Sequence, residues 1–286
     1  MSFSTLISAQ ALHALLQSPS PAVVFDCSFD LSDIGAGERA HAAGHIPGAF
    51  HVHLDRDLSG PKTGGNGRHP LPRREDFAAL MARLGVSDAT QVVCYDTAGG
   101  AMAARLWWLL RWAGHGAVAV LDGGLAAWRD AGYPLEAGQP AAPAPGTFTL
   151  RPPRVATTTY EDVLANLDAP APRLVVDARA PDRFRGQNET LDAVGGHIPG
   201  AANRFLRDNL QPDGHFKPAA QLRAEFEAVL GGTPADRVIS QCGSGVTACH
   251  NLLAMEVAGL TGAVLYPGSW SEWSSRPGSP IATGDA

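Results

Sequence analysis

Short hydrophobic runs alternate along this chain with longer stretches in which apolar residues recur at helical spacing. The runs are rich in valine, leucine and isoleucine and predict strands at 22–26, 91–95, 117–121, 173–177, 237–241 and 263–266. The amphipathic stretches predict helices near 74–84, 101–112, 219–229 and 247–259. Strands separated by helices are typical of a parallel sheet, because parallel neighbours need a crossover connection. The pattern therefore predicts an α/β fold with mostly parallel sheets that carry helices on both faces.

An internal repeat indicates that the chain holds two copies of one domain. The hexapeptide Gly-His-Ile-Pro-Gly-Ala at 44–49 returns at 196–201. Two further segments recur in the same order, 23–26 as 174–177 and 120–128 as 264–273. Self-similarity of several elements at nearly one offset is the signature of duplicated structural units.

A segment rich in proline and alanine separates the two copies. Such a composition does not hold a helix and favours a semi-extended linker. We therefore predict an N-terminal domain at 1–136, a linker at 137–153 and a C-terminal domain at 154–286.

The most distinctive local sequence is the strand, loop and helix start around Cys242. Backbone N–H groups of the loop and the start of the helix are expected to face this cysteine and to favour its thiolate. Gly243 and Gly245 let the backbone curl round the sulfur, and Thr247 is expected to help close the turn. The alternative is a buried core cysteine followed by an ordinary glycine turn.

Aligning the two copies places Asp96 of the first where the second has Cys242. Only the C-terminal copy then carries the nucleophile, so the N-terminal domain is predicted to be non-catalytic. Cys94 falls inside a predicted strand and is interpreted as a core thiol. Cys249 is expected to be a packed thiol in the helix, although a redox role remains open.

Composition narrows the class of protein. The 286 residues carry a net charge of −6, with 45% hydrophobic and 17% charged residues, so no electrostatic feature favours nucleic acid or an anionic membrane. The four cysteines lack paired spacing and suit a reducing compartment. Neither a secretory signal nor an apolar run of membrane-spanning length is evident, which favours a cytoplasmic protein.

The duplicated hexapeptide, the Cys-Gly-Ser-Gly-Val-Thr-Ala loop and the Tyr-x-Gly-Ser-Trp-x-Glu-Trp segment ending at Trp273 resemble the tandem-domain rhodanese family of sulfurtransferases. Within that family the loop is similar to that of 3-mercaptopyruvate sulfurtransferases. The resemblance implies a catalytic C-terminal domain and a cysteine persulfide intermediate. It also implies a small-molecule sulfur donor, an acceptor such as thioredoxin, another thiol or cyanide, and no cofactor.

In such a reaction the Cys242 thiolate attacks a sulfur atom that carries a leaving group. Backbone N–H groups would hold first this sulfur and then the outer sulfur of the persulfide. The loop residues expected to form this binding cradle are Gly243, Ser244, Gly245, Val246, Thr247 and Ala248. Gly243 and Ser244 carry no charge, which favours a singly charged 2-oxo acid over doubly charged thiosulfate.

The resemblance assigns further site residues. In the mercaptopyruvate branch the serine of the loop works with a histidine and an aspartate, which match His69 and Asp55 here, in a proton relay. The alternative for His69 is a histidine that stabilises a turn beside Pro70. Arg183 matches an arginine that binds the substrate carboxylate.

The chain departs from that pattern at 189–194, where a second carboxylate-binding arginine is absent. Arg179 could substitute for it, or could instead pair with Asp177. A thiosulfate sulfurtransferase that uses the same Cys242 therefore remains an alternative donor assignment.

Two other classes of function fit the sequence less well. A phosphatase of related fold needs an arginine where this chain has Ala248, which argues against that activity. A non-enzymatic module that binds sulfur would keep the fold and lose the nucleophile, whereas this chain keeps Cys242. No metal site is predicted from the histidines at 41, 45, 51 and 53, because His45 recurs as His197 within the repeated turn.

Overall fold

The computed structural model describes residues 2–285, which form two compact units. The first contains residues 2–60, 72–154 and 211–216, and the second contains 61–71, 155–210 and 217–285. Each unit therefore includes one short segment that lies, in sequence, within the opposite half of the chain. None of the described helices is long and apolar enough to cross a membrane.

The first unit is built on a five-stranded parallel sheet with the order β1-β5-β4-β2-β3. Its strands are β1 (Leu6–Ile7), β2 (Ala22–Asp26), β3 (Phe50–His51), β4 (Gln91–Tyr95) and β5 (Val118–Leu121). Its helices are α1 (Ala9–Leu16), α2 (Ala36–Ala43), α3 (Arg74–Arg83), α4 (Ala103–Trp112) and α5 (Gly124–Asp130).

The second unit has a four-stranded parallel sheet with the order β7-β6-β8-β9. Its strands are β6 (Leu174–Asp177), β7 (Ala202–Asn203), β8 (Val238–Gln241) and β9 (Val264–Leu265). Its helices are α6 (Tyr160–Asn166), α7 (Pro181–Phe184), α8 (Ala219–Leu230), α9 (Ala248–Val257) and α10 (Ser269–Trp273). Both sheets are parallel, which confirms the predicted α/β class.

The central strands β4 and β8 lie within the predicted strands at 91–95 and 237–241. β4 and β8 are buried along their whole length, since both faces of each sheet are covered. Asp96 directly follows β4, and Cys242 directly follows β8. These are the two positions that the alignment of the copies made equivalent. The carboxyl ends of the strands therefore hold the candidate chemistry, as expected for open parallel sheets.

The shorter elements were not predicted. Helices such as α7 and α10 span four and five residues, too few for a periodic pattern to be recognised. Local capping identifies others: the Ser8 side chain accepts a hydrogen bond from Ala11 at the start of α1. A capping box formed by Thr159 and Asp162 begins α6.

The repeated hexapeptide performs the same structural task in both units. Nδ1 of His45 is 2.7 Å from the backbone oxygen of His41, and Nδ1 of His197 is 2.8 Å from that of Phe184. Each histidine ring also stacks on the ring of that partner residue, with centroids 3.8 Å apart. The repeated histidine therefore forms the same kind of backbone hydrogen bond in both units.

Candidate functional site

The loop after β4 in the first unit shows what this type of strand-to-helix turn can bind. The Asp96 carboxylate is 1% exposed and accepts four backbone N–H groups, from Ala98, Gly100, Met102 and Ala103, at 2.7–2.8 Å. Hydrogen bonds to a charged acceptor are about twice as strong as neutral ones. The turn is therefore a preorganised cradle for an anion, and in the first unit its anion is a side chain of the protein itself.

Cys242 occupies the equivalent place in the second unit. The backbone oxygen of Asp96 accepts the N–H of Leu125, the second residue of α5, and that of Cys242 accepts the N–H of Trp270, the second residue of α10. The Cys242 N–H donates to Oγ of Ser269 at 3.1 Å. The cysteine is therefore fixed at the carboxyl end of β8, at the start of a turn of the same type.

Glycine is required at one position of this turn. Gly245 has a φ of +74°, and a Cβ there would lie 2.3 Å from the backbone oxygen of Pro267. Val246 and Ala248, which follow in the same turn, are buried. The expected capping role of Thr247 is wrong: its backbone is already helical and its side chain makes no cap hydrogen bond.

Ser244 and His69 are in direct contact. Nδ1 of His69 lies 2.7 Å from Oγ of Ser244. Both residues are buried, His69 at 2% exposure and Ser244 at 7%. The two residues are 175 positions apart in sequence, yet both belong to the second unit, because 61–71 is part of it. A hydroxyl bonded to an imidazole beside a cysteine is an arrangement able to move a proton.

The segment that carries His69 is held closely against the start of α10. Gly67 has a φ of +81°, and a Cβ there would lie 2.7 Å from the backbone oxygen of Gly268. The next residue, Arg68, donates its backbone N–H to Oγ of Ser271 at 2.9 Å. These contacts fix the direction from which His69 approaches Ser244.

Arg183, the predicted carboxylate anchor, lies beside the loop and is already paired. Its guanidinium nitrogens lie 3.7 and 3.8 Å from the point where a Cβ on Gly243 would stand. Its fork donates to both oxygens of Glu189, at 3.0 and 2.8 Å. Burial by itself would raise the pKa of the Glu189 carboxyl, but Arg183 and the N–H groups of Leu191 and Asp192 bind the carboxylate and hold the pKa below its usual value.

A second arginine, which the sequence reasoning did not assign to the site, lies on the same side of the loop. Nη2 of Arg68 is 3.3 Å from the position of a Cβ on Gly243. Nη1 of Arg68 donates to Oδ1 of Asp192 at 2.8 Å, and Oδ2 of Asp192 lies 3.7 Å from Nη2 of Arg183. The sequence shows Arg68 next to His69, but only the fold shows that its side chain lies close to Gly243.

Arg179 is buried and paired with carboxylates, since Nη1 lies 3.5 Å from Oε2 of Glu189. Its side chain is 1% exposed and donates to both oxygens of Asp177 and to the backbone oxygen of Gly196. Its guanidinium also stacks over the ring of Trp270 at 4.5 Å. Pairing with Asp177, the alternative considered for this arginine, is the arrangement observed, so Arg179 is not a free substrate anchor.

Asp55 and Cys94 belong to the first unit, and Cys249 belongs to the second. Asp55 lies in the first unit after β3, where its backbone N–H donates to Nδ1 of His53 at 3.1 Å. Cys94 is fully buried in β4, as predicted for a core thiol, and burial together with the Cys94 thiol raises the pKa of Cys27. Sγ of Cys249, also fully buried, lies 3.5 Å from the backbone oxygen of Gly245.

Comparison with known proteins gives a consistent result along the whole chain. A sequence profile described as Rhodanese-like domain matches residues 8–131 and 159–276. A probable 3-mercaptopyruvate sulfurtransferase of Pseudomonas aeruginosa is 47% identical over 287 residues, which cover 100% of both chains. A putative thiosulfate sulfurtransferase, SseB, of Mycobacterium tuberculosis is 40% identical over 98% of both chains.

A solved structure extends the likeness to the fold. The 3-mercaptopyruvate sulfurtransferase from Leishmania major superposes with a TM-score of 0.85 at 29% identity, covering 96% of this chain and 76% of that one.

Proposed function

This chain belongs to the rhodanese family, and on that basis we propose that it is a sulfurtransferase that moves a sulfane sulfur from 3-mercaptopyruvate to a thiol or cyanide through a persulfide on Cys242. The observation that carries the choice of donor is the Ser244–His69 hydrogen bond beside the cysteine. Sulfur transfer from mercaptopyruvate requires a proton transfer, whereas transfer from thiosulfate does not.

The difference follows from the balance of each reaction. The Cys242 thiolate attacks the donor sulfur, an S–S bond forms, and the C–S bond of mercaptopyruvate breaks with its electron pair going to carbon. The resulting enolate must gain a proton, the donor thiol must lose one, and the products are pyruvate and an anionic persulfide. Thiosulfate leaves as sulfite and needs no proton. In the proposed mechanism Ser244 and His69 therefore pass the proton from the donor thiol to the enolate.

The persulfide is held by the backbone N–H groups of 243–248, as the carboxylate of Asp96 is held in the first unit. Arg183 is proposed to meet the donor carboxylate next to the loop. An acceptor thiolate, of thioredoxin or of a small molecule, or cyanide then attacks the outer sulfur and restores the Cys242 thiolate. A reducing cytoplasm suits this cycle, because it keeps the acceptor thiols reduced. A role for Asp55 in orienting the relay stays a prediction.

The native protein is expected to prefer mercaptopyruvate to thiosulfate in kcat/KM. The physical reason is that the relay acts on only one of these donors. Initial rates with both donors and a common acceptor, cyanide, give the ratio directly. A higher kcat/KM with thiosulfate would reverse the donor assignment in favour of a thiosulfate sulfurtransferase.

Ser244→Ala is expected to lower turnover of mercaptopyruvate much more than turnover of thiosulfate. It removes the hydroxyl that His69 binds, so kcat with mercaptopyruvate should fall by roughly 10²-fold, the usual scale of one general acid–base group. Turnover of thiosulfate should change by less than about threefold. His69→Asn should show the same split.

The matched control is Ser275→Ala, which removes a hydroxyl bonded to the backbone of Glu272 on the same unit. It should leave the turnover of both mercaptopyruvate and thiosulfate unchanged. Equal losses for both donors in Ser244→Ala would show that the serine shapes the loop and moves no proton.

A further inference from the structure

The two arginines beside Gly243 have their charges balanced by carboxylates of the same chain. Arg183 pairs with Glu189 through two hydrogen bonds, and Arg68 pairs with Asp192 through one. The side chains of both acids are nearly buried, at 5% and 7% exposure. A donor that enters this site therefore meets two arginines that are already paired with carboxylates. Nη1 of Arg179 also lies 3.5 Å from Oε2 of Glu189.

The two carboxylates are not equivalent. Glu189 binds the fork of Arg183 and also accepts the N–H groups of Leu191 and Asp192. Asp192 uses only Oδ1 for its bond to Arg68. Its Oδ2 is buried without a hydrogen-bond partner, 3.7 Å from Nη2 of Arg183. An ionised oxygen in that condition is costly, so Asp192 is the less firmly held anion of the two.

We propose that Asp192 sets the donor specificity of this enzyme by acting as a built-in anion between Arg68 and Arg183. This inference rests on the proposed function, because it concerns the donor site next to Cys242. An anionic donor group that approaches Gly243 competes with Asp192 for the two guanidinium groups and is repelled by its charge. A neutral group bears no such penalty, a singly charged group bears a small one, and a dianion bears a larger one.

The penalty depends on donor charge in a defined way. Coulomb energy is proportional to the product of the charges, so the free energy of repulsion from Asp192 doubles between mercaptopyruvate and thiosulfate. Doubling a free energy squares the corresponding ratio of affinities. Asp192 thus reinforces, through binding, the preference for mercaptopyruvate that Ser244 and His69 provide through chemistry.

Asp192→Asn tests this proposal, since asparagine keeps the shape and can still accept from Arg68 while the charge is lost. At low ionic strength KM for mercaptopyruvate should fall by roughly fivefold and KM for thiosulfate by roughly 25-fold, taking the repulsion of unit charges about 4 Å apart in an aqueous environment. Little change in kcat is expected for either donor. Raising the salt concentration should shrink both effects through screening.

Two additional variants guard against indirect effects. Glu227→Gln makes the same change of charge at an exposed site on α8 and should leave both KM values unchanged. Asp192→Ser is a second neutral replacement, in case the amide of asparagine disturbs the loop. A rise in KM for both donors, or equal shifts for both, would overturn the proposal, because it would show that Asp192 positions Arg68 for the donor.

Binding measured without turnover separates this proposal from the proposed function. In a Cys242→Ser background, calorimetric titration with pyruvate and with thiosulfate should show the same pattern on adding Asp192→Asn, with thiosulfate gaining more. This pattern supports the specificity role even if sulfur transfer fails. Its absence in a protein whose native form transfers sulfur refutes the role of Asp192 alone.

Discussion

Replacing Cys242 with serine will abolish sulfur transfer from every donor. Because a serine hydroxyl is a far weaker nucleophile for sulfur than a thiolate, we expect kcat to fall by at least about 10⁴-fold with both mercaptopyruvate and thiosulfate. The fold should persist, since the backbone of residue 242 is fixed through Ser269 and Trp270 and not through its side chain. Cyanide-dependent formation of thiocyanate, followed by absorbance, measures the loss.

Cys249→Ala is the matched control. This thiol belongs to the second residue of α9 and is fully buried. Its removal should preserve sulfur transfer within about threefold, because Sγ of Cys249 lies 3.5 Å from the backbone oxygen of Gly245, a neighbour that disfavours a thiolate. Persistent transfer in Cys242→Ser, together with a loss in Cys249→Ala, would move the nucleophile to residue 249 and assign the open redox role to it.

The largest effect on stability is expected for Asp96→Ala. This change removes an anion that four backbone N–H groups bind and leaves those donors unsatisfied in a partly buried loop. The free energy of unfolding should fall by about 3–5 kcal/mol, the scale for breaking a buried charged network. Asp96→Asn should cost about 2 kcal/mol, because its carboxamide oxygen replaces one of the two acceptor oxygens while its NH₂ faces other donors.

Urea denaturation followed by circular dichroism provides the measurement for these variants. Asp33→Ala is the control, since Asp33 forms an exposed pair with Arg39 and should contribute less than about 1 kcal/mol. If Asp96→Ala is no more destabilising than Asp33→Ala, the loop does not bind an anion in the way its hydrogen bonds indicate. The proposed cradle for the Cys242 persulfide would then lose its main structural parallel.

Strong periodic patterns and the internal repeat were enough to predict the framework of this protein. β2 and β4 begin and end at the predicted residues, because buried parallel strands read as continuous apolar runs. The repeat also placed Asp96 and Cys242 at equivalent strand ends. These features can be recognised in the order of residues within short segments, without knowing which distant segments are in contact.

The chemistry around Gly243 could not be obtained in this way. Arg68 and Asp192 are 124 positions apart, and each looks like an ordinary surface residue in its own segment. Their pairing depends on a turn at Gly67 that brings the segment at 61–71 against α10. The sequence showed that the expected second arginine is absent at 189–194. Only the structure showed that Arg68 lies beside this segment and Gly243.

The central claim is that the sulfur of Cys242 carries a second sulfur atom during the reaction. Intact mass spectrometry of the native protein, after exposure to mercaptopyruvate without an acceptor and removal of excess donor, tests it most directly. We expect a mass gain of one sulfur atom that maps to the peptide containing Cys242 and that cyanide removes. An enzyme that turns over mercaptopyruvate but shows no added sulfur, or carries it on another cysteine, would contradict the account.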